Sequence, residues 1–176
     1  VHRQALDFLE RMKQQYWDVF KAKRVLELGS LDMNGSPREF FWAPQDYVGV
    51  DWREGKGVDE VSMAHEYRGR HDEYFDCVVS TEMLEHDPKW RETLQRAVEL
   101  LRPGGHIVLT MAGTGRPPHE VGVAPGENPY YENRTIEDIV QHVTSLAHFR
   151  MVHAEDNPNP GDSYFLFYCK TKKEGL

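Results

Sequence analysis

The chain is poor in the features that mark several broad protein classes. Of its 176 residues two are cysteines, Cys77 and Cys169, each inside an apolar run. A disulfide scaffold or a clustered metal site needs more thiols. Both are read as buried free thiols suited to a reducing compartment, so the expected location is cytoplasmic. No apolar run approaches the roughly 20 residues that span a bilayer, and no membrane partner is expected. Residues 1–20 are charged and amphipathic, unlike a secretory leader. Excess positive charge is missing too. Lys and Arg number 21 against 29 Asp and Glu, a formal net charge of −8, which disfavours broad contact with nucleic-acid phosphates. The nine histidines include no His-x-x-x-His pair, so their spacing gives no metal site.

What is present is a regular alternation of helical and strand patterns, with no internal repeat or linker. One domain over 1–176 is therefore expected. Apolar residues at Leu6, Leu9, Met12, Tyr16 and Phe20 predict a helix within 2–21. A strand at about Val25–Leu28 follows, then a helix over about 34–43, where Gly35 and Pro37 suit a helix start. Strands are expected at Tyr47–Asp51, Val58–Val61 and Phe75–Ser80, the last apolar on both faces like a central parallel strand. Asp87-Pro88 reads as N-cap and first residue of a helix whose apolar face is Trp90, Leu94, Ala97, Val98 and Leu101. Pro103-Gly104-Gly105 ends it and leads to a strand at His106–Thr110. Residues 112–134, rich in Gly and Pro, read as a long loop of the kind that is usually functional. Thr135-Ile-Glu-Asp138 resembles a capping box before a last helix. Phe149–Ala154 and Ser163–Cys169 read as an antiparallel hairpin turning at residues 157–161.

Two segments carry the chemistry. Val25-Leu-Glu-Leu-Gly-Ser30 ends an apolar run in an acid and a glycine, and Val48-Gly-Val-Asp51 ends the next in an acid. One strand–helix–strand unit apart, Glu27 and Asp51 should share the sheet edge where parallel α/β sheets bind nucleosides. A dinucleotide site wants G-x-G-x-x-G, and a Walker loop wants Gly-Lys-Ser/Thr. The loop here, Gly29-Ser-Leu-Asp-Met-Asn-Gly35, has neither, and Asp32 would repel a pyrophosphate. A nucleoside without phosphates fits. S-adenosyl-L-methionine is one, and its positive sulfonium favours a mouth lined with carboxylates.

Four stretches, in order, resemble the class I S-adenosylmethionine-dependent methyltransferases, including their type 11-like domains. They are Val25–Gly29, Val48–Asp51, Asp76–His86 and Leu100–Leu109. The resemblance covers about residues 22–111. It implies an α/β fold, a Rossmann-like doubly wound, mostly parallel seven-stranded sheet with a C-terminal antiparallel hairpin. It also implies an enzyme that moves the methyl group of S-adenosyl-L-methionine to an O, N or C atom of a small-molecule acceptor, leaving S-adenosyl-L-homocysteine.

Residue roles follow from that resemblance. Gly29 lets the cofactor approach bare backbone, with Ser30 and Gly35 in the same loop. Glu27 faces the methionyl ammonium, directly or through water, its bland alternative being a satisfied strand-end acid. Asp51 accepts from the ribose hydroxyls, and Trp52 packs on the adenine. Relatives often carry an acid where this chain has Met63, so adenine is held by main chain at Met63 or Ala64, or by His65. Ser80 offers its backbone carbonyl near the amino-acid end, and Thr81 and Glu82 after it are further cofactor-binding candidates. The family's further glycines after Gly29 are replaced here by Leu31 and Met33. His86 is the candidate general base, with packing at the start of the following helix as the alternative. Arg116, His119, Tyr130 and Tyr131, on the 112–134 loop, are acceptor candidates. The competing reading is a catalytically inactive cofactor-binding subunit that activates or stabilises a partner. A nicotinamide-dependent oxidoreductase ranks below both, because the phosphate loop is missing.

Overall fold

The computed structural model describes residues 1–118 and 130–172. Among these, seven strands form one sheet: β1 (Arg24–Leu28), β2 (Asp46–Asp51), β3 (Glu60–Val61), β4 (Phe75–Thr81), β5 (Leu101–Ala112), β6 (Ala147–Asn157) and β7 (Asp162–Lys172). Their spatial order is β3-β2-β1-β4-β5-β7-β6. Pairing is parallel from β3 to β5, and β7 runs antiparallel to both β5 and β6. This is the Rossmann-like sheet with a terminal hairpin. The chain reverses its direction of winding between β1 and β4, the switch point where such sheets leave a crevice.

Alternation along the strands supplies two cores. Leu26, Leu28, Val78, Ile107 and Leu109 face α2 (Trp90–Leu100) and α3 (Ile136–Leu146). Val25, Cys77, Val79 and Val108 face α1 (Arg3–Gln15), where they meet Phe8, Leu9 and Met12. Period-2 burial on both faces is what a central parallel strand requires. Both cysteines are buried and free.

The structure corrects several expected elements. The helix foreseen over 34–43 is a single 3-10 turn, Pro37–Phe40, capped by Ser36, whose Oγ accepts from the Arg38 amide at 3.1 Å. Gly35 at φ +116° and Ala43 at φ +43° bound too short a segment for more. The first helix stops at Gln15 and continues only as a turn at Val19–Lys21. That break lets Phe20 pack on Phe41, with centroids 5.2 Å apart. Tyr16 packs against the core, whereas Trp17 is exposed. Asp87 caps from further back than expected. Its Oδ1 accepts from the Lys89 amide at 2.7 Å and its Oδ2 from Thr93 at 2.6 Å, and the helix begins at Trp90. Leu101 belongs to β5 rather than to the helix. Pro103-Gly104-Gly105 forms an irregularity inside that strand, which restores pairing at Cys77↔His106. Glycine is required at 105, where a Cβ would fall 2.8 Å from the Asp76 carbonyl oxygen. The Thr135 cap is present, its Oγ1 accepting from the Asp138 amide at 3.1 Å.

Two carboxylates show opposite treatments. Asp76, at the start of β4, accepts from the Lys23 and Arg24 amides at 3.0 and 2.9 Å and from the guanidinium groups of Arg24 and Arg102. Burial alone would raise its carboxyl, but the bonds from Arg24 and Arg102 outweigh burial and hold it below the ordinary range. Glu27 is 1% exposed on the α1 face of the sheet. It has two hydroxyl partners, Tyr47 at 2.7 Å and Ser36 at 3.3 Å. Burial pushes it up to about 7, against the bond from Tyr47 and the charge of Arg38.

Asp76→Asn should lose on the order of 2 kcal/mol at pH 7, since charge-assisted bonds are replaced by neutral ones. A depressed native value means this stability is present at neutral pH and lost as pH falls through it. In urea unfolding the gap between the two proteins should therefore close below about pH 4. Glu27 has the other sign. Its native carboxyl holds a proton more tightly than the unfolded chain, so its contribution falls as pH rises from about 4.5 to about 7. Glu27→Gln should therefore gain in Tm relative to wild type between pH 5 and pH 8, and a constant difference across that range would contradict the assignment.

Candidate functional site

The C-terminal ends of β1, β2 and β4 open onto a cleft of about 570 Å³, within the size range of small-ligand sites. The register explains why it lies there. Leu28 pairs with both Val50 and Ser80, and Thr81 with Thr110, so the strands leave the sheet at one level. The β2 side of the cleft is lined by Asp51, Trp52, Met63, Ala64 and His65. Gly29, Leu31, Met33 and Met83 lie between the two sides, and Thr81, Glu82, His86, Arg116 and Tyr130 line the β4–β5 side together with His2.

The loop after Gly29 is shaped by its backbone. Gly29 sits at φ +78°, and the Gly29 and Ser30 amides both donate to the Val50 carbonyl, at 2.9 and 3.1 Å. A Cβ on Gly29 would fall 2.6 Å from Met83 Cγ, so only glycine admits Met83 here. Asp32 does not face the cleft. It accepts from the Gly35 amide at 2.7 Å and pairs with Lys56 at 2.6 Å, and these bonds hold it below its usual range. The Asp32 amide also donates to the Lys56 carbonyl, which ties this loop to the one after β2. Asp51 is held at both oxygens: Oδ2 accepts from the Leu31 amide at 3.3 Å and Oδ1 from the Arg53 amide at 2.9 Å. Each oxygen keeps a further lone pair for a ligand hydroxyl.

Of the residues singled out from sequence, Gly29, Asp51, Trp52, Met63, Ala64, Thr81, Glu82, His86, Arg116 and Tyr130 are on the cleft wall. Glu27, Ser30, Gly35, Ser80 and Tyr131 are not. Glu27 pairs across the sheet with Gly49, two residues short of Asp51, so the two acids share a face of the sheet without standing side by side. Its bonds to Ser36 and Tyr47 leave it beneath the loop. Ser80 turns its hydroxyl to the Leu28 carbonyl at 2.9 Å, fastening β4 to β1. Tyr131 backs the His86 ring with centroids 5.3 Å apart and donates to the Pro117 carbonyl. His119 lies outside the described residues.

The β4–β5 side holds groups that sequence reading passed over. His2 Nε2 stands 2.6 Å from Glu82 Oε2 and 3.1 Å from Asp162 Oδ2. Burial opposes its protonation, but the bonds to Asp162 and Glu82 prevail and push His2 up to about 9. Arg116 bonds Asp162 Oδ1. Glu82 is a non-glycine residue at φ +54°, a conformation costing about 1 kcal/mol or more that tends to persist at functional sites. Glu85 is fully buried, and burial first, then the charge of Glu82, pushes its carboxyl up. Arg134, also buried, donates to the Leu84 carbonyl and to Glu132 and Tyr130, pinning residues 130–134 beside the cleft. His2 and Asp162 lie at opposite ends of the chain with no local motif, so nothing in the sequence could pair them.

A methyltransferase domain model matches residues 1–154. A ubiquinone biosynthesis O-methyltransferase from Saccharophagus degradans is 30% identical over 90 residues, 51% of this chain and 36% of the relative. The chain spans about a third of the length of the curated relatives it matches. Among solved structures, the Burkholderia thailandensis 1,6-didemethyltoxoflavin-N1-methyltransferase was crystallised with 1,6-didemethyltoxoflavin and S-adenosylhomocysteine. It aligns at TM-score 0.66 and 19% identity, over 96% of this chain and 79% of that one. The [4+2]-cyclase SpnF aligns at TM-score 0.68 and 11% identity, over 94% and 81%. At such identities a structural likeness carries the fold alone. The match to the domain model, which takes in the sheet from β1 to most of β6, is of another kind, and by it the chain belongs to the methyltransferase domain family.

Proposed function

We propose that this chain, as one domain over 1–176, binds S-adenosyl-L-methionine in the cleft and transfers its methyl group to an O, N or C atom of a small molecule. S-adenosyl-L-homocysteine is the product. The observation that carries the reading is Asp51, a carboxylate on the cleft wall at the end of β2, fixed at both oxygens by main-chain amides. Next to it is a loop that brings Gly29 to the cleft wall and has neither the G-x-G-x-x-G nor the Gly-Lys-Ser/Thr pattern of phosphate sites. A ribose with free hydroxyls fits that acceptor better than a pyrophosphate does. Exposed Trp52 and Met63, with Ala64 and His65, offer apolar and polar surface to the base. Thr81, beside Glu82 on the cleft wall, remains for the amino-acid end. Glu27 acts on the cofactor through Ser36 and the loop, not by contact.

When bound, the cofactor supplies a methyl group on a sulfonium, which leaves without acid assistance. The chain's own work is then to align the acceptor and exclude water. His86, on the wall and backed by Tyr131, would take a proton from an acceptor that must lose one. Arg116 and Tyr130 would contact the acceptor from the 112–134 segment, to which Tyr131 and His119 also belong. Net charge −8 supports a small acceptor over nucleic acid. No described helix is long and apolar enough to cross a membrane, and free buried thiols favour the cytoplasm. The second reading keeps the same cleft and cofactor and makes the chain a catalytically inactive subunit that activates or stabilises a partner.

Calorimetry with S-adenosyl-L-methionine and S-adenosyl-L-homocysteine tests the proposal, and absence of binding by both up to low-millimolar concentration would sink it. Binding without methylation of any acceptor in a broad panel would favour the second reading. Asp51→Ala should weaken cofactor binding by roughly 10-fold or more, the loss of a charge-assisted bond worth about 1.5–3 kcal/mol. Unchanged affinity in the folded variant would mean the ribose lies elsewhere. His86→Ala should keep the cofactor affinity while turnover falls. Turnover equal to wild type would remove His86 from the chemistry.

A further inference from the structure

We propose that His2, Glu82 and Asp162 form a binding site for a divalent first-row transition ion on the β4–β5 wall of the cleft. One atom from each, His2 Nε2 and a carboxylate oxygen of Glu82 and of Asp162, can be chosen so that all lie within 4.8 Å of one another. His2 Nε2 is 2.6 Å from Glu82 Oε2 and 3.1 Å from Asp162 Oδ2. Ligand atoms about 2.1 Å from a shared ion stand about 3 to 3.5 Å apart, so small shifts open the space.

The supporting shell is already in place. Thr110 Oγ1 donates to Glu82 Oε1 at 2.9 Å, leaving Oε2 turned to His2. Arg116 holds Asp162 Oδ1, and the Tyr164 hydroxyl donates to Oδ2 at 2.9 Å. Thr110 and Arg116 hold the second oxygen of each liganding carboxylate and Tyr164 the liganding Oδ2 itself, and such bonds orient metal ligands. Arg116 Nη1 also stands 3.1 Å from His2 Nε2 and yields that contact when an ion enters.

A third carboxyl lies against the cluster. Glu85 is completely buried, its carboxyl approached by the main-chain amides of Glu85 and Ala112 and, among the described residues, by no side-chain hydrogen-bond partner. The charges of Glu82 and Asp162 both act on it. Two charged carboxylates, Glu82 and Asp162, thus face one guanidinium and one imidazole in a largely buried region, and an entering ion takes the place of the imidazole proton. The left-handed backbone of Glu82 (φ +54°) aims this side chain against its own preference. Imidazole nitrogen among the donors favours Mn²⁺, Fe²⁺, Co²⁺ or Zn²⁺ over Mg²⁺ and Ca²⁺. Because His2, Glu82 and Arg116 line the cleft, the ion's open positions would meet oxygen or nitrogen donors of a ligand at that end.

The test needs no methyl donor, so it is independent of the methyl-transfer reading. The full chain is freed of metal with a chelator and titrated with Mn²⁺ at pH 8, free ion being followed by its electron paramagnetic resonance signal. One ion per chain is expected, bound well below about 1 mM. His2→Ala and Glu82→Gln should each weaken it at least roughly 10-fold. Glu155→Gln, at the separate His153–Glu155 pair, should change nothing. Melting curves without metal identify any variant that fails to fold, and His2→Gln, ahead of the first helix, then replaces it. No saturation by about 1 mM, or equal binding by wild type and the His2 and Glu82 variants, reduces the cluster to an internal ion-pair network and overturns the proposal.

Discussion

The parallel register of β1, β2, β4 and β5 is the constraint from which the rest follows. Main-chain pairing sets Leu28 level with Val50 and Ser80, and Thr81 level with Thr110. Four strands therefore release the chain at one edge, and the winding reverses between β1 and β4, so the exit loops part there. The cleft is the space between loops that the ladder holds apart. Alternation along the same strands fills both faces with apolar side chains. Polar residues are thereby pushed to the strand ends, which is where ligand chemistry is possible.

The placement of acids follows that division. At the N-terminal edge Asp76 is surrounded by amides and guanidinium groups and serves to knit β1, β4 and β5. Within the layer facing α1, Glu27 has only hydroxyl hydrogen-bond partners and pays for burial with a raised carboxyl. At the C-terminal edge Asp51 is fixed by amides yet reaches the cleft, while Glu82, Glu85 and Asp162 gather around His2 and Arg116. The same carboxyl group thus serves as a structural clamp, as a support beneath a loop and as a ligand-facing group. Solvent access and the neighbouring donors decide which.

The elements that were legible have strong local causes. Val25–Leu28, Tyr47–Asp51 and Phe75–Ser80 are short apolar runs between polar turns, and the Thr135 cap needs only a hydroxyl three residues before an amide. The elements that misled have causes distant in sequence. The segment 34–43 has helix-start residues, but Gly35 and Ala43 take left-handed backbone to fit between α1 and β2. Spacing alone sets Glu27 and Asp51 side by side. The register sets them two residues apart, and Tyr47 and Ser36 hold Glu27 below the cleft. Asp32, which by sequence would repel a phosphate, is bound to Gly35 and Lys56.

The amino-acid sequence by itself determined the alternation of strands and helices, the glycine that ends β1 and the acid that ends β2. It could do so because apolar periodicity, turn residues and strand-end acids act over a few neighbouring positions. Only the tertiary structure decided which acids reach the cleft and which lie beneath it, and only it brought His2 from one end of the chain against Glu82 and Asp162. Those outcomes depend on register and on packing between strands distant in sequence, and no local pattern encodes either.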